Sequence, residues 1–173
     1  MLPLSHIGFT TVAVKVMEKG FHFRRMDYRI LIVASLLPDL VDKPLAGLLE
    51  SSFVYESRAF GHTLVFLGII GVLAIIQRLG RKNCWLFPVF LGVLFHDAFD
   101  VMWLHREIFL WPMEGWQFSK PMDEAWQGWV QFGGYKIKQL DFIDNISVLF
   151  ILFFFMKIAL GRTIMEFIRK GKL

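Results

Sequence analysis

Four stretches of this chain approach the length and apolarity a helix needs to cross a bilayer, and no other feature constrains the fold as strongly. A crossing takes about 20 mostly apolar residues. The four are Ile30–Leu49, His62–Leu79, Trp85–Leu104 and Ile146–Leu160, the last extendable toward Ile143. A fifth stretch, Met1–Met17, is shorter. It reads as a span or re-entrant segment, not a cleaved leader, because no basic region precedes it. Composition agrees: 55% of residues are hydrophobic and 20% charged, with a mean hydropathy of +0.52. A soluble domain has about 45–50% and about 25%. The expected fold is an all-α integral membrane domain over residues 1–173, a bundle of about five transmembrane helices.

The loops give the orientation. Lys15, Lys19, Arg24, Arg25 and Arg29 crowd the first connection, Arg78, Arg81 and Lys82 the third, and Lys157, Arg162, Arg169, Lys170 and Lys172 the C-terminal end. The connections between them, 50–61 and 105–145, are acidic on balance. Basic loops stay on the cytoplasmic side, so five spans put the N-terminus outside and the C-terminus inside. A four-span alternative would put the N-terminus inside. Segment 105–145 carries Trp111, Trp116, Trp126 and Trp129 with several Phe. It reads as an aromatic-rich interfacial cap on the outer leaflet between the fourth and fifth spans. The net charge of +4 sits in these loops, so no nucleic-acid partner is expected. Cys84 is the only cysteine, which excludes an internal disulfide or a Cys-rich zinc site.

Four acidic residues, Asp39, Asp42, Asp97 and Asp100, fall inside the apolar stretches, with Lys43 the one cation beside them. Ionisable groups in hydrocarbon are costly and mark functional sites. One lysine does not neutralise four carboxylates, so bound metal ions or unusual protonation must. His96 and Asp100 are four apart and share a helix face; Asp39 and Asp42 are three apart and also project together, after a helix-breaking Pro38. His62 opens the third span and His6 lies near the start of the first. At about 1.5 Å per residue, all six groups fall in the outer half of the bundle. Two other readings stay open: polar groups bonding across helices, and a proton or ion relay. A relay should reach both faces, and the inner half lacks matching Asp or His.

Short motifs at these positions resemble a known pattern. Ser5–Thr10 (SHIGFT), Leu36–Pro44 (LLPDLVDKP), Ser57–Thr63 (SRAFGHT), Phe95–Asp100 (FHDAFD) and Leu110–Pro112 (LWP) occur in the order seen in the YdjM-like family of inner-membrane metal-dependent hydrolases. The resemblance implies that fold, location and activity. The sequence departs from the family pattern where Asp39 and Asp42 are spaced Asp-x-x-Asp, and where Ser57, Ala59 and Gly61 replace the His, Gly and Thr of the third motif. Arg58 and His62 are retained.

Mixed imidazole and carboxylate donors suit Zn²⁺ first, with Mn²⁺ or Fe as alternatives. His6, Asp39, Asp42, His62, His96 and Asp100 are the candidate metal ligands. Six suffice for two ions sharing a bridging carboxylate, Asp42 or Asp100, an arrangement used to hydrolyse phosphate esters. Asp97 is a candidate base or a partner that orients a histidine. Arg58 is placed to hold a substrate phosphate or to anchor at headgroups. His105 is a candidate extra ligand or leaving-group acid, or simply an interfacial histidine. The expected function is a membrane-embedded metal-dependent hydrolase of a phosphoester or lipid-linked substrate, in the inner membrane with its site facing outward. The alternative is a non-catalytic membrane metal-binding or scaffold protein.

Overall fold

A computed structural model describes residues 3–21, 26–48, 58–80, 84–116, 118, 142–160 and 164–172. These residues are helical, with no strand among them. The long helices are α1 (Pro3–Phe21), α2 (Tyr28–Ala34), α3 (Leu37–Leu48), α4 (Leu64–Gly80), α5 (Leu86–Phe99) and, after the short α6 (Arg106–Phe109), α7 (Phe142–Leu160). A short α8 (Ile164–Lys170) follows, and single 3-10 turns cover Phe60–His62 and Met102–Leu104. The α5 helix is central and packs against α1, α2, α3 and α4, while α1 also lies along α7.

Two of the apolar stretches are interrupted rather than continuous. Ile30–Leu49 breaks at Ser35–Leu36, between α2 and α3. Pro38 has no N–H to donate and its ring crowds the preceding turn, so the helix restarts just ahead of it. Trp85–Leu104 stops being helical at Phe99, because Val101 takes a left-handed conformation (φ 55°). That conformation is strained for a β-branched residue. Among the described residues no helix is long and apolar enough to cross a membrane. The outward faces of α4 and α7 are nonetheless apolar: Ile69, Val72, Ile75 and Ile76 of α4 and Leu149, Phe153, Phe155 and Met156 of α7 are all exposed.

Close helix contacts set the frame. A Cβ on Gly92 would stand 2.6 Å from the Ala34 Cβ, and one on Gly8 would stand 2.8 Å from the Ser147 carbonyl oxygen. The Ser5 and Ser147 hydroxyls bond at 2.9 Å. Val14, Met26, Tyr28, Leu31 and Leu91 form one core, and Leu67, Ile70 and Val93 another. Of the aromatic cap, only its first part lies within the described residues. There Met102, Ile108 and Phe118 pack with Ala59, flanked by Phe60, Phe109 and Trp111. Trp126 and Trp129 lie outside the described residues.

The bundle is polarised. His6 of α1, Asp39 and Asp42 of α3, His62 of the turn before α4, and His96 and Asp100 at the end of α5 meet at one end. At the other end Glu18 accepts hydrogen bonds from the Met26 N–H, the Tyr28 hydroxyl and Lys15. There Arg29 ties α2 to the Ile168 carbonyl of α8. That end also carries Lys15 and Lys19 on α1, Arg29 on α2, and Arg169 and Lys170 on α8.

Candidate metal centre

Two buried imidazoles form the middle of the site. The His62 and His96 Nε2 atoms are 3.1 Å apart, and both rings are fully buried. Each ring is held by its other nitrogen. His96 Nδ1 is 2.7 Å from the Ser35 carbonyl oxygen. A carbonyl only accepts, so that nitrogen carries the proton and donates it. The acceptor exists because the helix breaks at Ser35, and Gly92 lets α5 approach closely enough to reach it. His62 Nδ1 donates to Asp42 Oδ2 at 2.6 Å. In neutral rings both Nε2 lone pairs then face one point, with no proton between them.

Two carboxylates converge on the same point. Asp39 Oδ1 lies 3.8 Å from His62 Nε2 and 4.0 Å from His96 Nε2. Asp100 Oδ2 lies 3.9 Å and 4.0 Å from the same two atoms. Donors bonded at about 2.0–2.2 Å to one ion must themselves stand roughly 3–4 Å apart, as the two Nε2 atoms do from each other and from each carboxylate oxygen. A second group adjoins the first. His6 stacks on His96 with ring centres 3.9 Å apart, and its Nε2 is 3.3 Å from Asp100 Oδ1. Asp100 thus presents one oxygen to each group. His6, His96 and Asp100 form one set that could hold an ion, and Asp39, His62 and His96 the other. The buried His6 Nδ1 has no hydrogen-bond partner among the described residues.

Three of the candidate residues lie outside the two groups. Asp42, read above as a ligand or bridge, stands behind His62. Its Oδ2 accepts from His62 and from the Ala59 N–H (2.7 Å), and its Oδ1 accepts from the Gly61 N–H (2.7 Å). Its oxygens are occupied in orienting a histidine, not in facing the cluster. His105, read as an extra ligand or acid or simply as an interfacial histidine, is exposed at the start of α6 and belongs to neither group. Asp97 is buried but belongs to neither group, and both its carboxylate oxygens lack a partner among the described residues. Facing a different side of α5 from His96, it is not the carboxylate that orients a cluster histidine.

Arg58 and Lys43 complete the site. Arg58 Nη2 is 2.8 Å from Asp100 Oδ2, and Lys43 Nζ is 2.7 Å from Asp39 Oδ2. Gly61 permits the turn that carries His62: a Cβ there would stand 2.7 Å from the Pro38 carbonyl oxygen and 3.2 Å from Asp42 Oδ1. Sequence reasoning missed the Ser35 carbonyl, because a backbone acceptor has no side-chain signature. The nearest signal was the proline three residues on.

The fold and the site define a class: an all-helical protein whose helix ends gather buried imidazoles and carboxylates into a centre suited to divalent cations. A family model described as YdjM inner membrane protein matches residues 1–166, and the chain belongs to that family. No curated protein and no solved structure matches it.

Proposed function

We propose that this protein is a membrane-embedded, metal-dependent hydrolase of a phosphoester, lipid or lipid-linked, with its centre near the outer face of the inner membrane. One observation carries the reading: two histidines whose Nδ1 protons are already committed turn their Nε2 atoms toward each other at 3.1 Å. That approach is favourable when a cation lies between the electron pairs. His62, His96, Asp39 and Asp100 would hold one ion, and His6 Nε2 with Asp100 Oδ1 offers donors toward a second. Zn²⁺ suits the donors first, with Mn²⁺ and Fe as alternatives.

A divalent ion supplies a Lewis acid and acidifies water toward neutrality. The protein's own groups do the rest. Asp42 fixes the tautomer and aim of His62, and the Ser35 carbonyl does the same for His96. Hydrolysis joins the water oxygen to phosphorus and breaks the P–O ester bond, and a proton from the water ends on the departing alkoxide.

Three observations support the membrane placement: the family's description, the exposed apolar faces of α4 and α7, and the polarised charge. With basic residues inside, the metal centre faces outward and the Phe60–Trp111–Phe118 cluster lies at the outer interface. The test is elemental analysis of detergent-purified protein before any metal is added, followed by turnover of a phosphoester panel with and without chelator. Stoichiometric metal and chelator-sensitive turnover are expected. Bound metal without turnover on any substrate favours a non-catalytic metal-binding or scaffold protein.

A further inference from the structure

The side chains in ion-pair contact with the cluster differ sharply in exposure. The rings of His62 and His96 are sealed at 0%, and the side chain of Asp100 is 5% exposed. Lys43 and Arg58 reach 34% and 28%. Asp39, at 15%, lies between these extremes, so the two cations are the most exposed charged groups paired with the cluster. Each cation holds a carboxylate that also faces the Nε2 pair, so the two stand one carboxylate away from the reacting point.

Charge counts the same way. Asp39, Asp42 and Asp100 are the carboxylates in contact with the cluster, against Lys43 and Arg58. One divalent ion makes this set net positive, which favours an anion over a neutral ester. The guanidinium is a planar fork of five donors that matches phosphate geometry, and its contact with Asp100 engages Nη2. The ammonium carries three donors. Between Arg58 and His62 in the chain, Phe60 packs edge-on against Trp111 and Phe118, with ring centres 5.3 and 5.1 Å away. An apolar wall thus begins where the cationic rim ends.

We infer that Arg58 and Lys43 receive the non-bridging oxygens of a phosphoryl group, so that the substrate is an anionic phosphoester with an apolar substituent. This rests on the metal-dependent reading above and narrows it to a substrate class. The same phosphoryl chemistry is found on a lipid headgroup and on a soluble phosphate ester.

The experiment is a calorimetric titration of inorganic phosphate into metal-replete full-length protein in detergent, with metal content measured for each sample. Wild type is expected to bind phosphate, and Arg58→Gln and Lys43→Gln are each expected to weaken it by about tenfold to a hundredfold while keeping their metal. No binding to metal-replete wild type, or equal binding by both variants, overturns the inference. If a Gln variant loses its metal, Arg58→Lys and Lys43→Arg keep the charge on the carboxylate. Arg58→Lys should still weaken phosphate because the fork is gone, and unchanged affinity in both overturns the inference. Turnover of glycerol phosphate, compared with phosphatidic acid in phosphatidylcholine vesicles, separates the two sources. Phosphate binding with no turnover leaves this inference standing and removes the hydrolase reading. Turnover of an uncharged carboxylic ester without phosphate binding overturns the inference and the phosphoester part of the proposed function, and leaves metal-dependent hydrolysis standing.

Discussion

A carboxylate that already accepts three hydrogen bonds has little left to offer a metal ion. Asp42 is such a group, and its worth lies in what it does to His62. Holding Nδ1–H fixes the tautomer and raises the donor strength of Nε2. Asp42→Asn is expected to lower metal affinity by about 10- to 100-fold, measured by competition with a chromophoric chelator. It also turns an amide N–H toward a backbone donor, so a stability loss of about 1–3 kcal/mol should accompany it. Equal affinity in variant and wild type would show that His62 keeps its aim without Asp42. At this scale the sequence was informative about identity and less so about role. Ionisable residues in apolar stretches singled out His6, Asp39, His62, His96 and Asp100, which the fold brings together. Asp39 and Asp42, three apart, looked equivalent. Only the turn at Ala59–His62, distant in the chain, decides that one faces the cluster and the other supports a ring.

Helices here are positioned by what is missing at their contacts and by what ties their ends. Gly92 is the clearest case, since a side chain there would press on Ala34, immediately before the carbonyl that holds His96. Gly92→Leu is expected to push α2 from α5, lose about 1–3 kcal/mol of stability as overpacking does, and reduce metal retention. Thermal unfolding and elemental analysis on the same sample check both effects. At the opposite end Glu18 joins α1 to the start of α2. Burial disfavours its charge, but the hydrogen bonds from Met26, Tyr28 and Lys15, with the Lys15 charge, outweigh burial and hold its carboxyl below the ordinary value of 4.5. A depressed carboxyl stabilises the fold above its ordinary value and loses that contribution as pH falls through the lower folded value. Glu18→Gln should therefore melt below wild type at neutral pH, and the gap should close as the solution is acidified below 4.5. A gap independent of pH would mean that the ionised form contributes nothing. The sequence marked the apolar stretches well but not their interruptions. Hydropathy runs on through Ser35 and Val101, while backbone conformation stops the helices there.

The whole molecule depends on the centre as much as the centre depends on it. Groups from α1, α3, α5 and the turn before α4 meet at one point, so an ion there links elements distant in the chain. Ligand that binds only the folded form stabilises it by about 2.7 kcal/mol at a hundred times Kd. A chelator is accordingly expected to lower the thermal midpoint, and re-addition of the metal to restore it. An unchanged midpoint would place the bound ion elsewhere. All-helical architecture and the gathering of the site at one end were legible from the apolar runs and charge placement. The depth of each group was harder to read, because broken helices shift the register that an unbroken run would give.

The pairing of Ser5 and Gly8 with Ser147 has a consequence for biosynthesis. Ser5 and Ser147 are 142 residues apart, so the helix that flanks the one carrying His6 is translated long after it. During synthesis α1 therefore lacks this neighbour until residue 147 has been made, and a chain cut short before residue 142 leaves the helix that carries His6 without the contact that fixes it.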